Sequence, residues 1–161
     1  MHPFAPDYTQ GFAPVLQDCI DFAGSVSSVS AIVGTSMGGY TASHLAKRLS
    51  VPFVAINPAI NPSQSLKQYL GKHQNYDGGE YELSLEQVTS YPPYNHSVTG
   101  LIIVSDFDTV VPPLRTKDLA SKYNLPLISC NYGDHRFEDV SALIDQINNH
   151  ILNVSSFINE L

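Results

Sequence analysis

The chain has 161 residues, of which 43% are hydrophobic and 14% charged, with a net charge of −7. That length suits one domain able to bury about 68–70% of its unfolded surface, and that composition argues for a packed core rather than disorder. The negative balance, with Lys and Arg scattered, argues against a nucleic-acid partner held by its phosphates. The start, Met1-His2-Pro3-Phe4-Ala5-Pro6, lacks the basic and apolar stretches of a signal peptide. Val15, Leu16, Cys19, Ile20 and Ala23 then recur at helical spacing, and Gly24 closes that helix. Ala31-Ile32-Val33, ending at Gly34, suits a short strand buried on both faces. Gly38 to Leu49 carries Tyr40, Leu45, Ala46 and Leu49 in helical register. Pro52 to Ile56 is a second buried strand, stopped by Asn57-Pro58. Leu101 to Val104 is a third, Leu114 to Tyr123 a helix, and Leu125 to Cys130 a fourth strand. From Phe137 to about Ile158, Val140, Leu143, Ile144, Ile147, Ile151, Val154 and Ile158 share one face of a long amphipathic helix, with a break near Asn148-Asn149.

Strands alternating with helices predict a three-layer α/β domain over 1–161, a parallel sheet of about four strands with helices on both faces. Such sheets bind ligands beyond the carboxyl ends of their strands. One stretch breaks the alternation. Pro58 to Val98 has weak helices at Leu66 to Leu70 and Leu85 to Tyr91, and a Gly-rich turn at Asp77-Gly78-Gly79. It also carries Tyr69, Tyr76, Tyr81, Tyr91 and Tyr94. It reads equally as a cap over a substrate pocket and as a surface excursion packed down by its tyrosines. The two cysteines, Cys19 and Cys130, fall on apolar segments without close His partners. Buried free thiols in the cytoplasm are therefore expected, and no metal site. No apolar run approaches the roughly 20 residues of a membrane span.

Gly34-Thr35-Ser36-Met37-Gly38 fits G-x-S-x-G, directly after a predicted strand and before a predicted helix. A serine nucleophile needs that tight turn to stand above the sheet, and small residues two positions either side let the backbone make it. A plain tight turn or a phosphate-binding turn is the alternative, although the latter lacks the Lys-Ser/Thr of a P-loop and the G-x-G-x-x-G of a dinucleotide site. A serine alcohol needs a base. Among the six histidines, His135 follows the fourth strand, where a loop can carry it back over the sheet; His44 and His150 lie inside helices, and His2, His73 and His96 have no reason to converge on Ser36. The imidazole needs a carboxylate, and Asp108, on the loop after the third strand, is the choice, with Asp106 in reserve. The order Ser36, Asp108, His135 is that of α/β-hydrolases.

Beyond these residues the chain resembles the YqiA/YcfP group of small bacterial α/β-hydrolase-fold esterases. The matching stretches are Ile32 to Tyr40, Ala55-Ile56-Asn57-Pro58-Ala59, Tyr69-Leu70-Gly71, Phe107-Asp108-Thr109 and Gly133-Asp134-His135-Arg136-Phe137. The resemblance implies hydrolysis of carboxylic esters with short acyl chains, by the three residues already named. It also implies an oxyanion hole with one N–H from Met37 and a second from a His-Gly-Phe loop that is not seen in this chain, together with two strands of the family's sheet. Losing one such donor costs about 10²–10³ in rate. The strand at Ala31 to Val33 is then expected to have an open edge that invites a second copy of the chain.

A serine esterase acting on a small-molecule ester, without metal or organic cofactor, is the first reading. A peptidase, thioesterase or lipase would use the same residues. A shortened, catalytically weak homologue serving as a binding or assembly module is the second reading, favoured by the incomplete oxyanion hole and opposed by the three converging residues.

Overall fold

The computed structural model describes residues 2–74, 78–97, 99–137 and 139–159. Among the described residues six α-helices and six strands follow one another: α1 (Phe12–Ser25), β1 (Ile32–Thr35), α2 (Met37–Leu49), β2 (Phe53–Ile56), α3 (Pro62–Ser65), β3 (Gly71–Gln74), β4 (Glu80–Leu83), α4 (Leu85–Thr89), β5 (Gly100–Ser105), α5 (Pro113–Tyr123), β6 (Leu127–Cys130) and α6 (Ile144–Asn159). They fall into two compact units, one of Ser27–Ala59 with Asn95–Leu161 and one of Met1–Val26 with Ile60–Tyr94.

The first of these units holds a four-stranded parallel sheet in the order β1-β2-β5-β6. Its two central strands are buried at every position, as continuous apolar runs such as Phe53-Val54-Ala55-Ile56 demand of a sheet covered on both faces. On one face Val54, Ile56, Leu101 and Ile103 pack with Phe137, Leu143 and Ile147 of the tail, each such side chain contributing about 1.5–3 kcal/mol by its burial. On the other face α2 lies so close that a Cβ on Gly39 would stand 3.3 Å from that of Ala55. Helices thus cover both faces, as the alternation predicts. The register aligns Thr35 with Ile56, Ile56 with Ile103, and Ile103 with Ile128, so the four carboxyl ends form one rim.

Three local expectations are corrected. β1 is not buried on both faces: it pairs only with β2 among the described strands, and Val33 is 46% exposed, because the strand lies at the sheet's edge. The tail is not one helix from Phe137. Phe137 takes φ 51, a turn capped by Asp139 precedes a 3-10 turn at Ser141–Leu143, and only then does α6 begin, running unbroken through Asn148-Asn149. Ile144 is exposed rather than on the packed face.

The second unit buries Val15, Cys19, Leu83 and Val88. Tyr91 is buried and its hydroxyl donates to the Tyr8 carbonyl at 2.7 Å. Burial raises that hydroxyl well above the usual phenol range. Ser84 caps α4 in a reciprocal box with Gln87. The weak helices of the sequence reading are a 3-10 turn at Leu66–Tyr69 and α4. Between them stands an unforeseen antiparallel hairpin of β3 and β4, whose segment Gly71-Lys72-His73-Gln74 has no apolar alternation to announce it. Tyr76, Asp77 and Val98 lie outside the described residues. Among the described residues no helix is long and apolar enough to cross a membrane.

Candidate active site

Ser36 is the single residue between β1 and α2, at φ 54 and ψ −121. A positive φ on a non-glycine residue costs on the order of 1–3 kcal/mol and persists only where the surroundings impose it. Here both of its backbone polar groups are held. Its N–H donates to the Ile56 carbonyl at 2.9 Å, and its carbonyl accepts from the N–H groups of Tyr40 and Ala59, each at 3.1 Å. The turn is tight enough that a Cβ on Gly34 would lie 2.2 Å from the Gly38 carbonyl oxygen, and one on Gly39 3.0 Å from the Gly34 oxygen. Gly39 therefore matters for space, a residue outside the five-residue pattern, because the backbone of Gly38 closes onto Gly34. The Met37 N–H opens α2 and, like any in a first turn, has no intrahelical acceptor.

His135 stands on the loop after β6. The Asp134 carboxylate accepts from the N–H groups of Arg136 (2.9 Å) and Phe137 (3.4 Å), which folds the loop locally, and the buried Phe137 ring anchors it in the core. Asp108 stands on the loop after β5, its side chain only 1% exposed. Its Oδ1 accepts from the N–H groups of Val110 (2.8 Å) and Val111 (2.9 Å). Those bonds offset the cost of burying the charge.

The three side chains form one hydrogen-bonded chain. The His135 Nδ1–H donates to Asp108, 2.9 Å from Oδ2 and 3.1 Å from Oδ1. With that proton on Nδ1, Nε2 is free to accept, and the Ser36 Oγ–H donates to it at 2.9 Å. Asp106 is elsewhere: it is 41% exposed and bound to Lys117 Nζ at 2.5 Å and Ser129 Oγ at 2.8 Å. The Lys117 ammonium holds its carboxyl below the usual range. His44 lies beside Tyr40 on α2, His96 stacks on Tyr123, and the ring of His150 bonds the Thr99 carbonyl. Both cysteines are free and buried, and burial raises both thiols, that of Cys19 to about 11, so neither is an activated nucleophile. Among the described residues no three His, Cys, Asp or Glu side chains gather to hold a metal.

Two residues of this arrangement were not singled out for it from the sequence. Asn57, 1% exposed at the end of β2, donates from Nδ2 to the carbonyls of Asp134 (2.8 Å) and His135 (3.2 Å) and accepts the Ser105 N–H on Oδ1 at 2.8 Å. Ser105 Oγ–H donates to the Gly133 carbonyl at 2.9 Å. The available signal was a polar Asn ending an apolar strand, and a buried polar group there needs partners.

Solved structures similar to this chain have the α/β-hydrolase fold. Est1E from Butyrivibrio proteoclasticus matches with 18% identity and a TM-score of 0.55 over 91% of this chain and 68% of its own. The ydeN gene product of B. subtilis matches with 14% identity and a TM-score of 0.58, over 85% of this chain and 73% of its own. Alpha/beta hydrolase domain-containing protein 10 from mouse matches with 16% identity and a TM-score of 0.56, over 91% of this chain and 69% of its own. The chain thus spans about two thirds to three quarters of their lengths. The profile of an uncharacterised protein family, UPF0227, matches residues 2–151, in keeping with the YqiA resemblance read from the sequence. With nearly its whole length matched, the chain belongs to the UPF0227 family.

Proposed function

We propose that the protein is a serine hydrolase acting on small carboxylic esters, with Ser36 as nucleophile, His135 as base and Asp108 as the acid that orients it. The observation that carries this is the unbroken chain of hydrogen bonds from Ser36 Oγ through both ring nitrogens of His135 to the buried Asp108 carboxylate. Ser36 Oγ attacks the ester carbonyl carbon as its proton passes to His135 Nε2. Asp108 stabilises the imidazolium, and the Met37 N–H is the donor nearest in sequence to the developing oxyanion. The carbon–alkoxy bond then breaks, the alcohol leaves with the proton from Nε2, and an acyl-Ser36 ester remains. Water, deprotonated by the same nitrogen, releases the acid. No step calls for a metal or organic cofactor. Phe107 and Val110, 60% and 58% exposed on either side of Asp108, offer apolar surface suited to a short acyl or alkyl group. Two buried free thiols favour a reducing compartment, and the cytoplasm is the location we assign.

A fluorophosphonate probe should label the wild-type protein on Ser36, and Ser36→Ala should abolish both labelling and hydrolysis of p-nitrophenyl acetate. Activity should fall on acidification, because only the neutral imidazole can take the proton. Turnover that survives Ser36→Ala undiminished would falsify the assignment. A thioester or peptide turned over faster than every ester would move the substrate class and leave the three roles standing.

A further inference from the structure

We propose that Asn57 is the positioning residue of this site, the side chain that sets His135 against Ser36. The proposal rests on the nucleophile and base assigned above. Asn57 ends β2 in the left-handed region, at φ 43, where Asn is tolerated better than most residues. Its amide is almost fully used. Both N–H groups go to consecutive carbonyls of the base's loop, those of Asp134 and His135, and its oxygen takes the Ser105 N–H at the root of the loop to Asp108. These partners fix the amide's orientation, since two are acceptors and one is a donor. The Asn57 backbone N–H continues the sheet by donating to the Ile103 carbonyl at 2.8 Å.

The same short segment holds the nucleophile. Ile56 takes the Ser36 N–H, and Ala59 donates to the Ser36 carbonyl. Residues 56–59 therefore grip Ser36 by backbone and His135 by the Asn57 side chain. A movement of the His135 carbonyl carries its imidazole with it, and the 2.9 Å approach of Nε2 to Oγ depends on where that ring stands. Ser105 adds a second tie to the same loop through the Gly133 carbonyl, and its own N–H is bonded to Asn57. Asn57 acts on the reacting atoms only through His135.

Two variants separate the amide from the backbone turn. Asn57→Asp keeps the shape and the acceptor for Ser105 but removes both donors to the His135 loop. Asn57→Gly keeps the left-handed turn and removes the whole amide. Per folded molecule, counted by titrating reactive Ser36, each should lower kcat on p-nitrophenyl acetate by about 10²-fold, the usual cost of a displaced catalytic group. KM should stay within about twofold, and fluorophosphonate labelling should slow in step, because substrate contacts are untouched. Ser105→Ala should give a smaller fall in the same direction, and it stands in if neither Asn57 variant folds. A readout independent of turnover is the proton NMR signal of the His135 Nδ1–H, which should be exchange-protected in the wild type and broadened or lost in Asn57→Asp. Variants that melt earlier yet keep wild-type kcat and an unchanged imidazole signal would overturn the proposal. Ser36→Ala tests the other assumption separately: full activity there removes the nucleophile, whereas a dead Ser36→Ala beside a fully active Asn57→Asp removes only the positioning role.

Discussion

Two aspartates two positions apart have different fates on the loop after β5. Asp108 is buried against His135 and two backbone N–H groups, while Asp106 is exposed and bound to Lys117 and Ser129. Their asparagine variants should therefore diverge. Asp108→Asn keeps the volume but presents an N–H to the imidazole, which favours the wrong tautomer, and kcat should fall by about 10⁴-fold. Asp106→Asn should stay near the wild-type rate on the same ester, since its partners lie at the surface. Equal losses in the two variants would refute this division of labour. The convergence of Ser36, Asp108 and His135 was legible because each follows a strand of a parallel sheet, and such a sheet brings its carboxyl ends to one rim. Asn57 was not legible. Its bonds reach residues 77 and 78 positions away, and nothing in local spacing encodes a side-chain amide meeting two distant carbonyls.

At the scale of the element, α6 carries a group with a pH-dependent cost. His150 is half-buried, and that burial lowers its pKa below the usual 6.5, with the bond to the Thr99 carbonyl acting the other way. Below 6.5 the unfolded chain therefore binds this proton more readily than the folded one, so stability falls as the medium is acidified. The stabilisation is present in full above the ordinary imidazole value and is lost as pH falls toward and through the folded value. Urea unfolding across this range should show the decline in the wild type and a flatter dependence in His150→Gln. A slope unaltered by that substitution would assign the acid sensitivity to other groups. The elements missed by the sequence share a cause. β3 and β4 are held by antiparallel pairing, and the Gly71-Lys72-His73-Gln74 segment has no apolar period to read. β2 and β5, buried throughout, were plain from their apolar runs.

For the molecule as a whole, the edge strand β1 is the feature from which we predict behaviour in solution. Among the described residues β1 has one strand neighbour, and no strand occurs before Ile32. The free backbone edge of β1, with Val33 exposed beside it, can template another strand, and we propose a second copy of the chain as its partner. Sedimentation at rising concentration should reveal self-association, and Val33→Lys should shift the protein to monomer without touching Ser36. A wild-type monomer at every concentration would mean that the edge is already covered.

The bond between Ser36 and His135 joins residues 99 positions apart, and that distance is also an interval of time. Synthesis proceeds at about 5–20 residues per second, so Ser36 precedes its proposed base by on the order of 5–20 s. During that interval a nascent chain carries an ordinary alcohol at position 36, with no imidazole to take its proton. On the proposed assignment, hydrolytic power would come only with β6 and the loop behind it, which carries His135. On the roles proposed for Ser36 and His135, the order of the residues along the chain would delay reactivity until the fold that confines it is nearly complete.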